Sequence, residues 1–283
     1  MPDTSHFHDS YSLGRVFSRA FELLKNNLAG VGVFMLILHL LMGLATYIST
    51  EASRNIMAMT LANPPPANPA ANLQHLSAML AAFEAPQYWL SPIAVFVVQL
   101  FFYAGATGGL LASGESLFGC MTTGLRKFLP MLALFILWIL GISFGFMLLI
   151  MPGVFLLLMW AVVVPVLVGE DVGVFGSFGR SAALTKGNRA TILATMIVLM
   201  VVNMVVGAVI QIPLQGQSVM TMFVPHANPL DALPHFSLFS AILSAEINGA
   251  LSLFTLAILV SIYRELRAVK EGDSPDQLRE IFS

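Results

Sequence analysis

Residues 128–169 read FLPMLALFILWILGISFGFMLLIMPGVFLLLMWAVVVPVLVG, and Lys, Arg, Asp and Glu are absent after Lys127 until Glu170. A helix needs about 20 apolar residues to cross the roughly 30 Å hydrocarbon core of a bilayer, so this stretch is long enough for two crossings. The Met-Pro-Gly at 151–153 is strong turn punctuation. We therefore predict a transmembrane hairpin with arms at residues 128–150 and 153–169.

Four further apolar stretches of spanning length occur in the chain, at residues 28–48, 91–112, 190–211 and 238–262. Only 10% of the residues are charged and the mean hydropathy is +0.84, whereas about a quarter of the residues of a soluble domain are charged. The sequence thus predicts an all-α polytopic fold with six transmembrane helices. We expect one membrane domain over residues 1–283, with an interfacial helix within 1–27 and a polar tail at 263–283.

The basic residues indicate the orientation of these six helices, because cytoplasmic loops carry an excess of Lys and Arg. If the N-terminus lies in the cytoplasm, 12 of the 13 basic residues fall on that side and only Arg54 falls outside. Miscounting any span would destroy this division. We predict that both termini are cytoplasmic.

Several function classes leave no trace in this sequence. No His-Glu-x-x-His or phosphate-binding Gly-x-x-x-x-Gly-Lys motif is present. Gly-x-Ser-x-Gly occurs at residues 141–145, but inside a predicted transmembrane helix and not at the strand-to-helix turn that the hydrolase motif requires. We therefore expect no enzymatic activity, no metal and no cofactor. The net charge of −2 argues against a nucleic-acid partner. Membrane lipids and a protein in the same membrane are the expected partners, and the sequence does not predict the oligomeric state.

A weak threefold repeat precedes the three pairs of spans, in residues 19–27, 121–129 and 180–188, each with a Leu-x-Lys. Each unit is interpreted as an interfacial helix followed by a transmembrane hairpin. Because three glycines precede the third segment, we expect it to be helical from Ser177 onward. Its basic residues predict either a structural collar or a contact with lipid headgroups.

Four polar side chains lie about 12–13 Å below the outer ends of their predicted spans, counting 1.5 Å per residue. They are His39, Gln99, Asn203 and Glu246. A carboxylate inside the bilayer costs about 2.5 kcal/mol or more unless it is protonated, paired or hydrated, so we place Glu246 toward the bundle interior with His39 as its proton partner. Two interpretations remain open: interhelical hydrogen bonding, and a proton-coupled or substrate-binding site.

Two Gly-x-x-x-Gly motifs give the second and third spans a face of small residues. They begin at Gly105 and Gly141. Such a face lets helix backbones approach closely. We predict that both motifs pack against helices of the same chain, and a dimer interface is the alternative use.

The segment after the fourth span is the most specific part of the sequence. It contains Pro165, Glu170, Arg180-Ser181 and Leu184-Thr-Lys-Gly187-Asn188. This pattern resembles the membrane domain associated with glycerophosphoryl diester phosphodiesterases and related bacterial inner-membrane proteins, as do residues 151–153 and the terminal Tyr-Arg-Glu-Leu-Arg at 263–267. The resemblance implies a bacterial inner membrane and a link to lipids or the cell envelope. It implies no catalysis, because this chain lacks a soluble stretch long enough for a phosphodiesterase domain.

Glu170 and its neighbours allow two interpretations. In the first, Glu170 pairs with Arg180 or Lys186 and holds the third interfacial helix. In the second, Arg180, Ser181 and Asn188, beside Gly187, bind a phosphate headgroup. For the whole chain, the leading hypothesis is a non-catalytic protein that supports envelope or lipid homeostasis through lipid or protein contacts, and the rival is a transporter whose polar site surrounds Glu246.

The predicted orientation can be tested with a membrane-impermeant thiol reagent. In a chain whose single cysteine, Cys120, is replaced by serine, Pro65→Cys should react from outside intact spheroplasts, because the segment near Pro65 follows the first span. Ser274→Cys in the C-terminal tail should react only after lysis. Reaction of the cysteine at 65 from the cytoplasmic side alone would contradict the assigned topology.

Overall fold

The computed structural model describes residues 11–62, 68, 73, 77, 86–112, 114–221 and 237–272. Within this part of the chain the regular elements are all helical. In chain order they are α1 (Leu13–Asn27), a π-helical turn (Leu28–Gly32), α2 (Val33–Ala62), α3 (Pro86–Ala112), α4 (Leu117–Leu148), α5 (Ile150–Met159), α6 (Val163–Gly169), α7 (Gly173–Thr185), α8 (Arg189–Thr221) and α9 (Leu238–Glu271).

Six helical segments are long and apolar enough to cross a membrane, which confirms the predicted all-α polytopic fold. They are Leu13–Glu51, Pro92–Ala112, Leu117–Leu148, Ile150–Gly169, Arg189–Leu214 and Leu238–Glu271. The first, third and sixth segments are longer than the predicted spans, because the flanking polar residues continue the helix instead of ending it. The third segment ends at Leu148, before the predicted limit of residue 150.

The turn of the central hairpin was predicted two residues too late. The chain leaves helical geometry at Leu149, with φ −168° and ψ 160°, and Pro152 is the third residue of α5. Proline is tolerated there because the first N–H groups of a helix have no intrahelical acceptor. Three non-helical residues, Trp160–Val162, separate α5 from α6, and Pro165 is the third residue of α6.

The three predicted units do not share one design. The first segment is the end of α1, which continues without a break through the π-helical turn into α2. The second segment is the beginning of α4. Only the third segment lies largely in a helix that is separate from the span that follows it, α7. That helix begins at Gly173, earlier than the predicted Ser177. Packing outweighs the low helix propensity of its glycines, since Ser177, Ser181 and Leu184 are buried along one face.

The contacts group the chain into two compact units. The first unit contains Met1–Met35, Leu100–Asn203 and Leu251–Ser283. The second unit contains Leu36–Gln99 and Met204–Ala250. Helices α2, α3, α8 and α9 therefore contribute residues to both units. The single membrane domain expected over residues 1–283 stays a prediction.

Glycines set the distances between helices in the first unit. A Cβ on Gly105 would lie 2.4 Å from the carbonyl oxygen of Cys120, and one on Gly109 would lie 2.5 Å from Val31 Cγ2. Gly141 lies against the indole of Trp160, and Gly145 lies against Gly153. Both Gly-x-x-x-Gly motifs thus pack inside the chain, as predicted.

The π-helical turn packs directly on the connection between α3 and α4. A Cβ on Gly30 would lie 2.0 Å from the carbonyl oxygen of Glu115, so only glycine fits. One turn earlier, the buried Asn27 amide donates to the Leu23 carbonyl and accepts a 2.7 Å hydrogen bond from the Gly114 N–H. Gly114 has φ +82°, which favours glycine. These contacts anchor the α3–α4 connection to the first helix.

We expect Gly105→Ala to lower the free energy of unfolding by about 1–3 kcal/mol, the usual cost of overpacking. The added methyl group would meet the backbone oxygen of Cys120 and the Phe34 ring, neither of which retreats easily. Gly207→Ala is the matched control, because nothing lies within 4 Å of its Cβ position. Chemical denaturation in detergent compares the two variants, and equal stabilities would contradict the packing role of Gly105.

Candidate functional site

His39 and Glu246 lie in the second unit and interact electrostatically. His39 is 6% exposed on α2, and its ring packs over Gly249 of α9, where a Cβ would lie 2.5 Å from His39 Cγ. One turn below Gly249, Glu246 Oε1 is buried and receives no hydrogen bond from the described residues. The two helices approach closely again at Gly43, which meets Ala245 and the Ile242 backbone. An imidazole thus lies within electrostatic range of a carboxyl group, one oxygen of which receives no hydrogen bond from the described residues.

The other two predicted members of this polar site behave differently. Gln99 is half-buried in the second unit, and its amide makes no hydrogen bond to another described side chain. Asn203 belongs to the first unit, where its amide donates to the Leu199 carbonyl at 2.9 Å and to Thr255 Oγ1 at 3.4 Å. These bonds agree with the first of the two interpretations for Asn203, interhelical hydrogen bonding.

A cavity of about 270 Å³ lies near this pair in the second unit. Its lining comes from α2 and α9 and includes hydroxyl groups of both helices. The lining residues are Thr46, Tyr47, Thr50, Ser240, Ala241, Ser244, Ala245 and Asn248. Glu246 does not line it, because successive residues of a helix point about 100° apart and the lining residues of α9 share a different face.

Glu265 is the anion that holds α1 in the first unit. It is 2% exposed, and its carboxylate accepts from Arg15 Nε at 2.7 Å and from Arg19 Nη1 at 3.2 Å. The Ser12 N–H lies 3.4 Å from Oε1. Because a buried carboxylate requires paired charge and hydrogen bonds, these contacts fix the N-terminal helix against the end of α9.

Glu170 joins α6, α7 and α9. Its carboxylate accepts from Arg180 Nε at 2.9 Å and from the Tyr263 hydroxyl at 2.8 Å. Arg180 also binds Glu271, which pairs with Arg267 Nε at 3.0 Å. Burial alone would lower the pKa of the Arg180 guanidinium, but the hydrogen bonds to Glu271 and Glu170 outweigh burial and raise that pKa. The predicted Glu170–Arg180 pair is therefore present, within a larger network.

Three basic side chains bind the carbonyl ends of neighbouring helices. Arg264 donates to Leu110 and Leu111 in the last turn of α3, at 3.1 and 2.7 Å. Lys127 donates at 3.1 Å to the Leu167 carbonyl of α6 and pairs with Asp171 at 3.3 Å. Lys270 donates to the Ala183 carbonyl of α7. The last carbonyls of a helix lack intrahelical donors and carry partial negative charge, so cations there complement them.

The remaining residues of the predicted headgroup motif have internal roles. Ser181 is buried and donates to the Met159 carbonyl at 2.9 Å. Gly187 has φ +92° in the turn between α7 and α8, and the Asn188 N–H donates to the Thr185 carbonyl at 3.1 Å. Since Arg180 already binds two carboxylates, the geometry favours the structural interpretation of Arg180 and Ser181 over phosphate binding.

Sequence reasoning did not identify Glu265, Arg264 or Tyr11 as site residues. Glu265 lies between two arginines directly after a predicted span, and this arrangement is the sequence signal for its ion pairs. Tyr11 gave no signal, because its 3.2 Å hydrogen bond connects it to Thr195, 184 positions away. Burial raises the pKa of the Tyr11 hydroxyl, the hydrogen bond with Thr195 lowers it in part, and the charge of Glu265 raises it further.

We expect Glu265→Gln to destabilise the protein by about 2 kcal/mol, less than the roughly 3–5 kcal/mol of a fully buried pair, because Arg15 and Arg19 are partly exposed. The amide leaves both guanidinium groups without their anion. Asp171→Asn is the matched control, since that carboxylate is fully exposed beside Lys127. Unfolding in detergent and proteolysis of α1 compare the variants, and an unchanged Glu265→Gln protein would contradict the anchoring role.

Comparison with known protein families gives a match to most of the helical part of the chain. The model of a family described as a domain of unknown function, DUF7847, matches residues 88–266. No curated protein and no solved structure matches the chain. The matched range runs from the second span through Glu265 and contains Glu170 and Arg180 of the network described above. Because it covers more than half of the sequence, this chain belongs to the DUF7847 family.

Proposed function

We propose that this chain is a non-enzymatic transporter of the bacterial inner membrane, with both termini in the cytoplasm and a proton-exchanging site at His39 and Glu246. The observation that carries the proposal is the buried Glu246 Oε1, which accepts no hydrogen bond from the described residues while His39 lies nearby. An ionisable group at such depth is costly unless it is protonated or paired, and such groups line proton and substrate pathways.

The internal network of the first unit also supports this choice. Glu265, Glu170 and Glu271 are each held by basic partners, so their charges are already compensated. Glu246 differs, because one of its oxygens keeps unused acceptor capacity. The nearby cavity is lined by neutral side chains that offer some hydroxyl and amide groups on a mainly apolar wall, which suits a small amphiphilic substrate.

The second candidate function is a contact role in envelope or lipid homeostasis. It is favoured by the large apolar surfaces of α4 and α8. In the apolar stretch of each of these spans, only 17% of the residues are buried within the chain. Such surfaces contact lipid or another membrane protein. The resemblance to the membrane domain of glycerophosphoryl diester phosphodiesterases supports the same role, and it rests on the motif around Arg180.

The proposed site can be tested with dicyclohexylcarbodiimide, an apolar reagent that adds to protonated carboxyl groups. We expect an adduct on the Glu246 peptide of the purified protein in lipid nanodiscs, decreasing as the pH is raised, and none in Glu246→Gln. Glu265 is the internal control, since its charge is held by Arg15 and Arg19 and it should resist the reagent. Mass spectrometry reads both sites, and an unlabelled Glu246 at every pH would overturn the proposed proton exchange.

A complementation experiment then separates the two candidate functions. Wild type, Glu246→Gln and Asp171→Asn are expressed at equal abundance in cells that lack the gene, and the membrane lipid composition and envelope integrity are measured. A transporter requires that Glu246→Gln fail while Asp171→Asn succeeds. If both variants restore the cells fully, the transport proposal fails and the contact role remains.

A further inference from the structure

Three basic residues form a cluster at the turn between α7 and α8. Lys186 and Arg189 flank this turn, and Lys270 approaches from the end of α9, where it interacts electrostatically with both. Lys186 and Lys270 are exposed, and Arg189 is half-buried. We call these three residues the basic cluster. All of them belong to the first unit.

No described carboxylate neutralises the positive charge of the basic cluster, although Lys270 also donates a hydrogen bond to the Ala183 carbonyl. None of the cluster's three members forms an ion pair with a described residue, whereas the adjacent Arg180 is paired with Glu170 and Glu271. Glu271 is also bound by Arg267, so the nearest carboxylates are already engaged. Like charges held close together repel, and an anion placed among them would relieve that repulsion.

Arg189 is held in place before any ligand arrives. Its guanidinium carbon lies 4.4 Å from the centroid of the Phe155 ring, a stacking arrangement that restricts the planar group. Its Nε is buried and has no hydrogen-bond acceptor among the described residues. A stacked guanidinium with unused donors is a typical ligand of a phosphate group.

The backbone adds a further favourable contribution at the same place. Arg189 is the first residue of the long helix α8, whose initial N–H groups point out of the helix and carry partial positive charge. Gly187 has φ +92°, which lets the chain turn sharply between Lys186 and the beginning of α8. The turn therefore brings side-chain cations and the positive end of a helix together.

We propose that Lys186, Arg189 and Lys270 bind a phosphate-type anion, either the phosphate of an anionic phospholipid headgroup or free phosphate. Several cations held close together favour an anion that has several oxygen atoms. Such an anion either carries more than one negative charge or bridges two of the cations. This site is separate from the proposed Glu246 site and does not depend on it. Its ligands differ from Arg180, Ser181 and Asn188, which the second interpretation of the sequence assigned to a phosphate headgroup.

The test uses the full-length protein in nanodiscs and compares Lys186→Gln, the triple glutamine variant of the basic cluster, and the controls Lys25→Gln and Arg126→Gln. The controls remove exposed basic residues that belong to α1 and α4 and not to the basic cluster. Arg189→Lys keeps the charge and checks folding. Circular dichroism and unfolding temperature are measured for every variant. Lys186→Gln removes an exposed side chain whose described interaction is the repulsion with Lys270, so we expect this variant to fold normally.

Two probes distinguish the source of the anion. In nanodiscs of phosphatidylcholine alone, binding of radiolabelled inorganic phosphate is measured at low and high salt. In nanodiscs containing phosphatidylglycerol, native mass spectrometry measures how much phosphatidylglycerol stays with the released protein relative to phosphatidylcholine. We expect each removed charge to weaken the bound anion about tenfold, which corresponds to about 1.4 kcal/mol.

Selective retention of phosphatidylglycerol by wild type and the controls, lost in Lys186→Gln and the triple variant, supports the lipid source. Salt-sensitive binding of inorganic phosphate, lost in the same variants, supports free phosphate. If wild type binds neither probe, or if Lys186→Gln and the triple variant bind both as well as wild type, the proposed anion site is overturned.

Discussion

The fold of the first unit depends on basic side chains that pair with carboxylates or with the carbonyl groups at helix ends. Many of these pairs lie around the end of α9. Between Tyr263 and Glu271, this helix binds the arginines of α1 through Glu265 and the α6–α7 corner through Tyr263 and Glu271. Arg264 binds the carbonyl end of α3. Because helix-end carbonyls have few alternative partners next to hydrocarbon, two turns of one helix hold several others in register.

Glycine is the second constraint, since these charged groups meet only if the backbones approach closely. Gly30, Gly105 and Gly109 leave no room for a Cβ among the π-helical turn, α3 and α4. That approach places Asn27 within reach of Gly114 and aligns the end of α3 with Arg264. Small residues thus act here as spacers that determine which polar groups come into contact.

The sequence was sufficient for the number of spans and for the close packing at its glycine motifs, because both depend on local hydropathy and residue size. It also suggested the Glu170–Arg180 pair, whose partners are only ten positions apart. Local information could not show that Arg180 binds a second carboxylate, at position 271, or that Asn203 uses its amide within the first unit. The residue count places His39, Gln99, Asn203 and Glu246 at one depth of their predicted spans, but it says nothing about direction. The rotation of each helix about its own axis decides which of these side chains meet.

The basic residues of this chain therefore divide into two groups with different physical roles. Arg15, Arg19, Arg180, Arg264 and Arg267 bind carboxylates or carbonyl groups of the chain itself. Lys186 and Arg189 bind no such group among the described residues, and Lys270 beside them donates to the Ala183 carbonyl but pairs with no described carboxylate. The first group shows that a cluster of basic residues need not bind an external anion, because its positive charge already pairs with carboxylates and carbonyl groups of the same chain. Only the second group can still attract a negatively charged ligand. Whether a motif that resembles a headgroup site can bind an anion therefore depends on the groups that its basic side chains already bind, and not on its residue types alone.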